Sequence, residues 1–75
     1  MVVSDSVQKE RDRQTRQILT TELRQAEDDL QKLVTASQAE KDAQKLAEIK
    51  QRIVRKRADI AGVKRELARN AASAP

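Results

Sequence analysis

The stretch that decides the fold runs from Lys45 to Leu67 and reads KLAEIKQRIVRKRADIAGVKREL. Its apolar side chains recur in steps of three, four and seven residues, at Leu46, Ile49, Ile53, Ile60, Val63 and Leu67. This spacing is a heptad seam on one side of a helix, and Lys56 fills the one seam position that is not apolar. A helix with such a stripe needs a second helix to cover it. We read Lys56 as a device that selects register or partner, with its stem packed and its ammonium reaching water.

A second seam precedes this one and predicts a first helix from about Ser6 to about Val34. Its residues alternate in steps of four and three, at Leu19, Leu23, Ala26, Leu30 and Leu33. Continued backwards, the same phase meets Arg16 and Asp12, so the first turns of this helix have no apolar seam. Ile18, Val34 and Val54 lie beside the two seams and would widen the apolar face.

The two seams are out of phase by two residues, which is neither of the usual coiled-coil discontinuities of three or four residues. A single rod with one seam is therefore disfavoured, and we predict a turn within residues 35–42. Ser37 and Glu40 have capping-box spacing there, as do Thr35 and Gln38. One long helix with two offset stripes in an oligomer remains the alternative.

If the chain folds back at this turn, each residue of the first helix can be assigned a partner on the second. Pairing residues whose numbers add to 79 sets Leu33 near Leu46 and Leu23 near Lys56. The other apolar layers of that register are Leu30 with Ile49, Ala26 with Ile53 and Leu19 with Ile60. At the flanks, the attractive pairs are Glu27 with Lys50 and Asp29 with Arg52, whereas Glu22 and Asp59 repel.

Length and composition predict that the hairpin associates with itself. The 75 residues allow one small domain, 37% of them are charged, and none is aromatic. So small a core is marginal for a monomer. We therefore predict an all-α antiparallel helical hairpin over residues 6–69, with flexible ends at 1–5 and 70–75, that packs as a dimeric four-helix bundle or coiled coil. The predicted interface consists of Leu19, Leu23, Leu30, Leu33, Leu46, Ile49, Ile53, Ile60, Val63 and Leu67.

The sequence argues against catalysis and against a cofactor. It has no His and no Cys, so it offers no imidazole base, thiol nucleophile or conventional zinc site. The acidic run of residues 27–29 could hold a divalent cation weakly, but a solvated helix face is the more common use of such a run. We predict a non-catalytic oligomerisation or protein-interaction module with no catalytic, cofactor or metal residues.

Nucleic-acid binding is the competing function, through the basic cluster Arg52, Arg55, Lys56 and Arg57. Phosphate charge supplies most of the affinity of a basic helix for a duplex. Here the apolar seam runs through the basic region, and no aromatic side chain is present to stack on bases. Membrane-surface binding is disfavoured as well, because interfacial helices generally use Trp and Phe.

Two spacings resemble a known group of proteins. The first is Arg11-Asp12-(x3)-Arg16-Gln17-Ile18-Leu19-(x2)-Glu22-Leu23-(x3)-Glu27-(x2)-Leu30, and the second is Ile53-(x6)-Ile60-Ala61-Gly62-Val63-Lys64-Arg65-Glu66-Leu67. Together, over residues 8–68, they resemble the helical tail of small proteobacterial envelope proteins of unknown function. The resemblance implies the tail of a longer, periplasmic parent and brings no catalytic or ligand residues. Without it, the expected compartment is the cytoplasm.

Overall fold

Two long helices make up the part of the chain that the structure describes. The computed structural model describes residues 5–73, with side chains for residues 5–71. Helix α1 spans Asp5–Ala39 and helix α2 spans Ala43–Ser73. The two pack side by side as a rod of about 60 × 18 × 14 Å, and no strand occurs within residues 5–73. The predicted all-α helical hairpin is therefore confirmed.

The turn comprises residues 40–42, inside the predicted range, and Asp42 fixes where α2 begins. Its Oδ1 accepts hydrogen bonds from the backbone N–H groups of Gln44 at 2.9 Å and Lys45 at 3.1 Å. This is the N-cap arrangement, in which a side-chain oxygen satisfies the free amides of the first turn. Glu40 also stabilises the turn, because its Oε1 accepts a hydrogen bond from the backbone N–H of Asp42 at 3.0 Å.

The prediction that Ser37 or Thr35 caps the second helix was wrong. The Ser37 hydroxyl donates to the Val34 carbonyl at 2.7 Å, and the Thr35 hydroxyl donates to the Gln31 carbonyl at 3.0 Å. Both are bonds within a helix that has not yet ended, so neither residue caps α2.

Both helices extend further than predicted. Helix α1 continues five residues past Val34 because its heptad repeat continues through Ser37 and Glu40, which are both partly buried. Asp5 is already helical, where an anionic side chain suits the positive end of the helix dipole. Of the predicted flexible tail, residues 70–73 belong to α2. Residues 1–4 and 74–75 of the two predicted flexible ends lie outside the described residues.

The pairing register differs from the predicted one by a whole heptad. The Arg16 Nε donates to the Asn70 Oδ1 at 3.5 Å, and these residue numbers add to 86. Near the middle of the rod, the Lys56 Nζ lies 3.6 Å from the Asp29 Oδ2, a pair that adds to 85. The predicted value of 79 was therefore wrong. The observed register sets Leu33 opposite Ile53, Ala26 opposite Ile60, Leu23 opposite Val63 and Leu19 opposite Leu67.

Candidate interaction surface

The seam between the helices is only partly closed. Among the ten residues predicted as an interface, Ile53 and Ile60 are the two that are buried, with 9% and 7% of their surface exposed. The other eight are partly exposed: Leu19, Leu23, Leu30, Leu33, Leu46, Ile49, Val63 and Leu67. All ten lie between α1 and α2 of the same chain, so the hairpin uses them first for its own folding.

The Lys56 side chain crosses the seam, and its ammonium group contacts a carboxylate of α1. Its ammonium lies 3.6 Å from the Asp29 Oδ2, with 27% of the Lys56 side chain and 37% of the Asp29 side chain exposed. The Gln25 Nε2 donates to the other Asp29 oxygen at 3.1 Å, which holds the carboxylate in place. The predicted pairing of Asp29 with Arg52 was wrong. The lysine thus contributes to register by meeting an oriented partner on α1.

One edge of the hairpin carries a groove that we name the Glu22 groove. It is open to solvent along the side where Glu22 of α1 faces Asp59 and Glu66 of α2. Its lining comprises Leu19, Glu22, Ala58, Asp59, Gly62, Val63, Arg65, Glu66 and Arg69. Leu19 and Val63, two partly buried seam residues, reach the surface here. The groove therefore combines apolar seam surface with three carboxylates and two guanidinium groups.

The opposite edge carries a second groove, the Arg57 groove, with the reverse charge. Its lining comprises Glu27, Leu30, Gln31, Val34, Arg57, Ile60 and Lys64. Val34 widens the apolar surface on this edge, as the sequence predicted, and is partly buried. Ile18 and Val54, the other two residues expected to widen it, are 59% and 67% exposed.

The basic cluster of residues 52–57 is divided around α2. Arg57 lines the Arg57 groove, whereas Lys56 points into the seam. Arg52 holds the same heptad position as Asp59, which lines the Glu22 groove. Arg55, one turn from Arg52 and exposed like it, lies towards the same edge, so the structure groups Arg52 with Arg55 and separates them from Lys56 and Arg57.

The described residues offer no prepared metal site. Residues 5–73 contain no group of three or more His, Cys, Asp or Glu side chains arranged to hold an ion. Neither helix has an apolar stretch long enough to cross a bilayer over the same residues.

Comparisons with family models, curated proteins and solved structures return no match to this chain. The resemblance of residues 8–68 to the tails of envelope proteins therefore stays a prediction.

Proposed function

We propose that this chain is a non-catalytic oligomerisation module and that its partner is a second copy of itself. The observation that carries the proposal is the open seam. Among the described residues, Ile53 and Ile60 are the only hydrophobic side chains below about a tenth exposed. Each helix covers only one side of the other, so the apolar stripe stays partly exposed to solvent along its length.

Association would bury what folding leaves exposed. Removing apolar surface from water contributes about 25 cal/mol per Å², and eight of the ten seam residues still have such surface to lose. In a four-helix bundle each seam is covered from two sides, which is the arrangement that long amphipathic hairpins commonly adopt. A dimer of hairpins therefore supplies the stability that a chain of this size lacks alone.

The surface chemistry supports binding over catalysis. The two grooves are shallow and open, and they contain carboxylates, guanidinium groups, amines and apolar side chains. Without histidine or cysteine, neither groove offers the common general base or nucleophile. What remains is a rod whose exposed edges differ in charge, which suits the recognition of another helix.

The test is the solution mass of the full chain, measured by light scattering over a concentration series. We expect twice the chain mass of 8.5 kDa at high concentration, with dissociation on dilution. Helicity measured by circular dichroism should fall together with the mass, because dimer formation stabilises the helices. A monomer at every concentration, with constant helicity, would refute self-association.

A further inference from the structure

We propose that the second copy docks antiparallel along the Glu22 groove, with α2 of each hairpin beside α2 of the other. In this arrangement Arg52 faces the partner's Asp59, and Lys45 faces the partner's Glu66. The inference rests on the self-association proposed above and specifies which edge mediates it and in which direction the copies run.

A line of four charges at heptad spacing carries the inference. Lys45, Arg52, Asp59 and Glu66 occupy the same helical position, and all four are exposed. Read along α2, their order is basic, basic, acidic, acidic. When two such lines run antiparallel, with residue numbers adding to 111, every residue of the line meets the opposite charge. When they run parallel in register, every residue meets its own copy and all four contacts repel.

The hairpin by itself leaves this line unsatisfied. Within residues 5–71, Arg52 and Asp59 have no ion-pair partner, and Glu66 pairs only with its exposed neighbour Arg69 at 3.1 Å. Glu22, Asp59 and Glu66 line the same groove together with Arg65 and Arg69, so the lining keeps one net negative charge. Lysine and arginine side chains from a second copy would offset this remaining negative charge.

The opposite edge disfavours an α2-to-α2 contact between two copies. At the corresponding position on that side, α2 has Lys50, Arg57 and Lys64, again seven residues apart. Two copies placed edge to edge there would set Lys50 against Lys64 and Arg57 against its own copy. Like charges in direct opposition are destabilising, so the two edges of the rod differ in their tolerance of a second copy.

The Glu22 groove also allows close approach. Gly62 and Ala58 lie one helical turn apart in its lining. A Cβ added at Gly62 would meet only the Arg65 Nη2, at 3.8 Å, so packing within the hairpin does not require glycine there. Glycine lowers the stability of a helix relative to alanine. A close contact with a second helix would explain why glycine occurs at position 62.

The centre of the proposed dimer coincides with the centre of the apolar stretch. Residue numbers that add to 111 place the two-fold axis between Arg55 and Lys56, close to the middle of the seam from Leu46 to Leu67. The same register therefore pairs the charges and overlaps the apolar surface. On this edge Arg55 lies beside its own copy at the axis, and the partner's Asp59, about one helical turn along the rod, offsets that like-charge contact.

The experiment is a charge exchange in the full chain, read out as the dimer dissociation constant by analytical ultracentrifugation. Arg52→Glu turns two attractive contacts into repulsive ones and should raise the constant about 10- to 30-fold. Asp59→Arg should do the same. The double variant R52E/D59R restores opposite charges and should return to within about threefold of the original constant. Asp59→Arg also removes a carboxylate from beside Glu22, so its weaker dimer cannot be attributed to a damaged hairpin.

The matched control is Arg57→Glu, the same substitution on the opposite edge. It should leave the dissociation constant within about twofold. Direction is tested by single cysteines, since the chain has none of its own. Arg55→Cys lies near the axis and should form disulfide-linked dimers on oxidation. Glu66→Cys should not, because the two copies of residue 66 would be about 31 Å apart along the antiparallel helices, at 1.5 Å per residue.

The outcomes separate this inference from the proposed function. A dimer that tolerates Arg52→Glu but is dissociated by Arg57→Glu would overturn the docking edge while self-association stands. Efficient cross-linking through Glu66→Cys would overturn the antiparallel direction alone. A wild-type chain that stays monomeric would overturn both.

Discussion

At the scale of single residues, neighbouring positions on α2 have opposite environments and supply a sharp test. Ile53 is 9% exposed and its neighbour Val54 is 67% exposed. Ile53→Asp would place a charge in the closed part of the seam and should cost about 3 kcal/mol or more, which a small hairpin cannot lose and remain folded. We expect most helicity and all assembly to disappear, measured by circular dichroism and by solution mass.

Val54→Asp is the control for that substitution. It introduces the same side chain one position away, on the face turned to water, and should change stability by less than about 0.7 kcal/mol, within the spread of helix propensities. Equal loss of helicity in the two variants would contradict the seam described here.

The seam residues were predictable from the sequence because a heptad pattern depends only on local periodicity. Leu19 and Leu67, at opposite ends of the chain, both face the seam as their spacing requires. Glu40, directly after α1, and Asn70 of α2 are also partly buried and continue the two seams, but both are polar and give no apolar signal. A heptad pattern of apolar residues does not extend to polar seam positions, which are defined only by the packing of the two helices.

At the scale of elements, the junction between the helices depends on Asp42. Replacing it by Ala removes the oxygen that accepts the Gln44 and Lys45 amides, and should destabilise the hairpin by about 1 kcal/mol. Urea denaturation followed by circular dichroism measures the change. Thr35→Ala is the control, because the Thr35 hydroxyl bonds within α1 and caps nothing. A larger loss from Thr35→Ala than from Asp42→Ala would contradict the assigned cap.

The presence and place of the turn were predictable, but the register was not. Both the predicted and the observed registers align four wholly apolar layers, so hydrophobic matching does not distinguish them. The choice depends on polar detail: the start of α2 at the Asp42 cap, the contact of Lys56 with Asp29, and the contact of Arg16 with Asn70. Each such contact contributes little energy, and it decides the register only because hydrophobic burial favours the two alignments about equally.

At the scale of the whole molecule, the two ends of the rod differ in composition. The first turns of α1 have no apolar seam, whereas the region from Leu19 to the turn has one on both helices. A dimer centred between residues 55 and 56 overlaps this second region and leaves residues 5–16 of α1 outside the overlap. The charge pattern on one edge and the distribution of apolar residues along the axis thus favour the same staggered arrangement.

This stagger predicts the length of the dimer. One hairpin is about 60 Å long. The proposed axis lies about 20 Å from the turn end, at 1.5 Å per residue, so each copy extends about 40 Å beyond the axis in opposite directions. Small-angle X-ray scattering should therefore give a longest dimension of about 80 Å for the dimer, and R52E/D59R should retain it. Two rods that overlap along their full length would measure about 60 Å, the single-hairpin length, and that value would contradict the stagger while leaving the dimer itself intact.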